Sequence, residues 1–126
     1  MTVRAIRGAI QIQDDDRGRL VDGTKGLLKA MLDANGLEQH DLISMVFTAT
    51  PDLRSEFPAV AARELGLTDT PLLCAGELDV AGALPRVVRI LLHAETDLAK
   101  CDVRHVYLDG AAALRTDLAG APEGSR

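Results

Sequence analysis

Arginines at structured positions are the residues of this chain best suited to chemistry. Residues 72–93, LLCAGELDVAGALPRVVRILLH, are apolar almost throughout, yet they carry Glu77, Asp79, Arg86 and Arg89. A charge inside such a run must reach water or a partner, because burying it unpaired is costly. Arginine is always charged, and its planar fork grips a carboxylate through two N–H groups at once. Arg89, Arg7 in VRAIRGAIQI and Glu77 in a glycine-containing turn therefore make a candidate site for a small anion. Each residue also has a plain structural reading. Arg7 suits the edge of a sheet, and Arg86 and His93 suit a solvated face. Asp79 suits a helix cap, Cys74 a small buried hydrophobe, Tyr107 sheet packing and Arg115 a solvated terminus. The residues alone leave both readings open.

Other chemical devices are missing from the sequence. It has no GxxxxGK[ST] or GxGxxG loop and no G-x-S-x-G elbow. His40, His93 and His105 lack the close spacing of zinc ligands. No metal, cofactor or covalent mechanism is expected. A net charge of −5, no Trp, one Tyr and two Phe argue against nucleic-acid binding. Cys74 and Cys101 stand far apart, as expected of reduced thiols in a cytoplasmic protein. The N-terminal MTVRAIRGAI has no long apolar stretch, and no apolar run is long enough to span a membrane.

The elements that must position these residues follow from periodicity. Alternation over 3–12 predicts a strand with Ile6, Ile10 and Ile12 on one face beside Arg4 and Gly8, and Arg7 on the other with Val3, Ala5 and Ala9. The acids at 14–16 cap a helix whose stripe is Leu20, Val21, Leu27, Leu28, Met31 and Leu32, ended by Asn35-Gly36. A buried strand is predicted at 43–49, a short helix at PAVAARELG (58–66) and a brief strand at Leu72–Cys74. Residues 83–93 fit a helix with Leu84, Val87, Val88, Leu91 and Leu92 inward, and Arg86, Arg89 and His93 outward within roughly 60° of arc. VRHVYL, Asp109-Gly110 and AAALR fit a hairpin with a type I′ turn. The order β-α-β-α-β-α-β-β predicts an α+β domain, a mixed β-sheet with helices packed on it.

Five stretches, VRAIRGA (3–9), TATPDL (48–53), FPAVAARELG (57–66), CAGELDVAGALPRVVRI (74–90) and RHVYLDGAAALRTDL (104–118), together resemble the monofunctional chorismate mutases of the AroH class, the Bacillus type. They span nearly the whole chain in the right order and spacing. The resemblance implies one domain over 1–118 and a homotrimer forming a pseudo-α/β-barrel with active sites between subunits, while the Gly, Pro and polar residues beyond it predict a flexible tail at 119–126. It implies conversion of chorismate to prephenate, a pericyclic step of aromatic amino-acid biosynthesis that needs no nucleophile, metal or proton shuttle.

Carried over by position, the resemblance makes Arg89 the catalytic donor to the ether oxygen. Arg7 becomes a carboxylate ligand, and Glu77 the acceptor of the ring hydroxyl. Leu73, Cys74, Ala75 and Gly76 bind substrate, with Cys74 a contact near that hydroxyl and not a nucleophile. Tyr107 reaches the second carboxylate, Phe57 and Arg63 line the cleft from an adjacent chain, and Leu114 and Arg115 close over it. Val60 falls where the family can carry a lysine. Two alternatives remain beside this reading: a trimeric enamine/imine deaminase-like enzyme, and a non-catalytic module binding a dicarboxylate.

Overall fold

The computed structural model describes residues 1–115, apart from the side chains of Leu114 and Arg115. The expected roles of those two side chains, and the expected tail at 119–126, therefore lie outside the described residues. The described residues form five strands and two α-helices, in the order β1 (Thr2–Gln11), α1 (Arg17–Ala34), β2 (Leu42–Ala49), α2 (Val60–Glu64), β3 (Leu72–Gly76), β4 (Val87–Thr96) and β5 (Val106–Leu108). The sheet order is β3-β2-β4-β1-β5. β4 runs antiparallel to both β1 and β2, whereas β1–β5 and β2–β3 are parallel, so the sheet is mixed as expected.

Two expectations are corrected. Residues 83–93 are not a helix: Val87–Thr96 is the central strand β4. Its apolar residues sit at both helical and alternating spacings, and Val87, Val88 and Ile90 are β-branched residues that pack well on a pleated surface. Nor do residues 103–115 form a hairpin. β5 is short, and Asp109–Arg115 continues as a 3₁₀-helical segment that starts at Asp109 with a positive φ of 52°. The alanines that follow Gly110 favour a helical turn over a second strand.

The core lies on one face of the sheet. Ile6, Ile10, Met45, Phe47, Val88, Ile90 and Leu92 project from the strands against Leu20, Leu27, Leu28 and Met31 of α1 and Ala61 and Ala62 of α2. Asp16 caps α1 by accepting from the Arg19 amide at 3.0 Å. Gly8 lies directly beneath α1, where a Cβ would collide with Met31 and press on Leu27. Its missing side chain lets the helix rest on the strand that carries Arg7. At the far end of α1, Asn35 is buried and grips the backbone of Arg104, accepting from its N–H at 2.8 Å and donating to its carbonyl at 2.9 Å. That clamp fixes the approach to β5, and the His105 ring accepts from the Arg7 amide at 3.0 Å. Among the described residues no helix is long and apolar enough to cross a membrane.

The loop between β2 and α2 is held from the other end of α1. The Asp15 carboxylate accepts from the Arg54 and Ser55 amides at 3.1 and 3.0 Å, Arg17 bridges to Glu56 at 2.8 Å, and Lys25 bridges to Glu64 at 2.5 Å. All three acids are held below their ordinary range. The Ser55 side chain and then the neighbouring amides act on Asp15, the Phe57 amide and then Arg17 on Glu56, and Lys25 on Glu64. Because the folded values are depressed, their stabilisation is present above the ordinary carboxylate range and is lost as pH falls through the lowered values. The urea midpoint is therefore expected to drop below about pH 4, with a shallower drop in D15N/E56Q. An identical acid profile for that double variant would show that the loop anchors contribute nothing.

Candidate active site

β-strand alternation gives the sheet a second face, away from the helices. One row of residues crosses it from edge to edge: Ala75 beside Thr48, Thr48 beside Arg89, Arg89 beside Ala9, and Ala9 beside Tyr107. Arg7 lies two positions from Ala9 on the same face, as the alternation predicts. Part of this face is covered by Asp109–Arg115, which folds back so that Ala9, Val87 and Ala111 form a small buried cluster with Tyr107 packed against it. Beside that cover is a depression of about 290 Å³, lined by Arg7, Val46, Thr48, Arg89, Leu91 and Tyr107.

Glu77 enters from the edge. Its amide donates to the Ala49 carbonyl at 3.0 Å, extending the β2–β3 pairing one step beyond β3. Its side chain turns back over the sheet. Glu77 Oε1 accepts from Arg89 Nη1, and Oε2 accepts from the Thr48 hydroxyl at 2.6 Å. The Glu77 side chain is only 16% exposed and that of Arg89 37%, so both charges are partly withdrawn from water and partnered. Arg7 enters no ion pair among the described residues, and its side chain is exposed at the depression. The result is a surface with one committed cation, one open cation and one carboxylate already engaged at both oxygens.

A second hollow, of about 490 Å³, lies at the β2–β3 edge and includes Leu53, Phe57, Pro58, Cys74, Ala75 and Gly76 in its lining. Cys74 pairs with Phe47 and so shares the helix-side face, opposite Arg89. It is free and exposed, which corrects its reading as a small buried residue. Phe57 is 67% exposed and Leu73 68%. Arg63 lies on α2, exposed, where its charge contributes to holding Glu56 ionised. The expected site residues thus fall into two groups within one chain. Arg7, Glu77, Arg89 and Tyr107 come together on the open sheet face, whereas Phe57, Arg63 and Cys74 belong to a separate surface.

The other charges of the 83–93 segment part company with Arg89. Arg86 precedes β4 in the left-handed region (φ 54°), its amide bound to the Asp52 carboxylate at 3.1 Å and its Nε donating to the Ile12 carbonyl at 2.9 Å. It holds the strand's entry. His93 does share the Arg89 face and meets the Ser44 hydroxyl at 3.2 Å. Thr48 was not among the expected site residues. Its place opposite Phe47 in β2 marks it for the open face, but only the β2–β4 register puts it beside Arg89.

The comparisons with known proteins meet this geometry over almost the whole chain. The family model described as chorismate mutase type I matches residues 3–118. The chain belongs to that family. Chorismate mutase AroH of Thermus thermophilus is 48% identical over 120 residues, covering 94% of this chain and 98% of the relative. Chorismate mutase AroH of Bacillus subtilis (strain 168) is 39% identical over 119 residues, covering 94% of each. Among solved structures, a chorismate mutase from Clostridium thermocellum superposes with a TM-score of 0.85 at 48% identity, over 86% of this chain and 97% of that one. The α+β sheet inferred from the sequence is therefore the chorismate mutase type I fold, and the deaminase-like reading gives way to it.

Proposed function

We propose that this protein is a chorismate mutase, an isomerase that converts chorismate to prephenate within one molecule, working in the cytoplasm as a homotrimer. The observation that carries the reading is Arg89, fixed on the central strand by Glu77 and set beside the open cation of Arg7. The family match supports chorismate as the substrate. In the reaction the ether C–O bond breaks as a C–C bond forms, and negative charge grows on the ether oxygen. Arg89 donates to that oxygen, a preorganised donor aimed at charge that develops in the transition state. Arg7 grips a carboxylate and Tyr107 supports the other, so that the flexible dianion is held in its compact, chair-like form. Glu77 takes the ring hydroxyl.

Leu73, Cys74, Ala75, Gly76, Phe57 and Arg63 complete the cleft, with Phe57 and Arg63 supplied by a neighbouring copy and Leu114 and Arg115 closing over it. Two features support this division. The site residues of one chain lie on two separate surfaces, and the outward exposure of Phe57 and Leu73 leaves apolar area for a partner to cover.

The test is direct. Purified protein is mixed with chorismate, loss of its ultraviolet absorbance is followed, and the product is identified by co-elution with prephenate and by acid conversion to phenylpyruvate. Prephenate formed in proportion to enzyme is the expected result. Binding of chorismate without turnover would instead favour the non-catalytic dicarboxylate module.

A further inference from the structure

The Glu77–Arg89 contact has an unusual form for a carboxylate and a guanidinium. Left to themselves, the two groups favour a fork-to-fork arrangement in which both oxygens meet two N–H groups. Here only one oxygen does so. The other is taken by the Thr48 hydroxyl at 2.6 Å, and Arg89 Nη1 is the only guanidinium nitrogen bonded to Glu77. Among the described residues Glu77 has no other side-chain hydrogen-bond partner. Its amide is tied to Ala49, but Leu78 after it is 85% exposed and the chain leaves the sheet there. The side chain's direction is therefore set by Thr48 and Arg89, neighbours across the β2–β4 ladder.

We propose that Thr48 is a positioning residue: its hydroxyl holds Glu77 to a one-point grip on Arg89 and keeps the rest of the guanidinium fork open for substrate. The role rests on the chorismate mutase reading of the site. Without the hydroxyl, the freed Glu77 oxygen swings onto Arg89 and occupies the donors that the developing charge requires. Substrate must then displace a closed ion pair before the transition state is served.

The experiment compares wild type, T48V, T48S and E77A, each alone and with T48V in the E77A background. Valine keeps the shape and the strand preference of threonine but has no hydroxyl. Loss of a hydrogen bond to a charged group is expected to lower kcat about tenfold in T48V, with a smaller change in KM. Serine restores the hydroxyl and most of the turnover. In E77A there is no carboxylate to direct, so T48V adds no further loss there. A crystal structure of T48V is expected to show both Glu77 oxygens on Arg89. Wild-type kcat in T48V, equal losses in T48S and T48V, or an undiminished T48V effect in E77A would each overturn the proposal. An inactive wild type would instead remove the chorismate mutase reading, and the T48V crystal structure would still decide whether the hydroxyl directs Glu77.

Discussion

Arg89→Lys is expected to lower kcat for chorismate by roughly 10²–10³-fold, the range seen when a preorganised donor to developing negative charge is removed. Lysine preserves the positive charge, so a large loss isolates geometry from charge. Arg89 is rooted in the middle of the sheet, paired with Ala9 on one side and Thr48 on the other. Its guanidinium meets Glu77 through Nη1, which on the proposed reading leaves other N–H groups for substrate. A lysine ammonium at the same place is a single charged point on a flexible stem. Drawn to Glu77, it has no second, fixed donor for the ether oxygen. Initial rates of chorismate loss, with circular dichroism to establish an intact fold, measure the effect. Turnover of R89K within about threefold of wild type would mean that charge alone suffices and that the fork geometry assigned to Arg89 is wrong.

The largest effect on stability is expected at Phe47. It is wholly buried and heads the fully buried side chains by size. It stands on β2 between Cys74 of β3 and Ile90 of β4, on the helix side of the sheet. Phe47→Ala is expected to destabilise the fold by about 3–5 kcal/mol, through lost burial and the cavity left behind. Against a typical stability of about 5–15 kcal/mol this is a large fraction. The corresponding fall in Tm is roughly 10–20 °C. Thermal and urea unfolding monitored by circular dichroism would give both quantities. A loss near 1 kcal/mol would show that α1 and α2 close over the gap.

The same strand shows how far the sequence could be read. β2 reads as a buried strand from its apolar run, and Met45 and Phe47 are indeed buried, although Ile43 near its start is 39% exposed. α1 was equally legible, because its cap, its apolar stripe and its Asn-Gly stop agree. β4 was not. As the central strand it buries Val88, Ile90, Leu92 and Ala94 on the helix side, while Val87 is buried on the other face. Apolar residues on both faces blur the alternation and leave a spacing that a helix also satisfies. The misreading placed Arg86, Arg89 and His93 together on one side. In the sheet only Arg89 and His93 share a face, and Arg86 turns to Ile12 and Asp52.

Arg7, Arg89 and Glu77 stood out by residue type and place as a candidate anion site, and the face of Arg7 followed from alternation in β1. The other proposed site residues came from the family resemblance. The Thr48–Glu77–Arg89 contact depends on the registers of β2–β4 and β2–β3, which join residues far apart in sequence. Register is fixed by packing and turn geometry across the whole sheet, and no local pattern encodes it. The hairpin expected around Asp109-Gly110 failed for a related reason. A turn signal states that the chain bends, whereas the partner of β5 proved to be β1.

β4 also lies between the two halves of the sheet, with β2 and β3 on one side and β1 and β5 on the other. Among the described strands it is the second-last in chain order. Until it arrives, no strand stands between β1 and β2, and the contacts of α1 and Asp15 with α2 and the loop before it link the two halves. Thr2 pairs with Thr96 and Gln11 with Val87, so closure joins distant parts of the chain and is intrinsically slow. The strand that completes the sheet is the one that carries Arg89. On the proposed reading, recovery of turnover during refolding therefore requires the two halves to have joined, and with sites between copies it requires assembly as well.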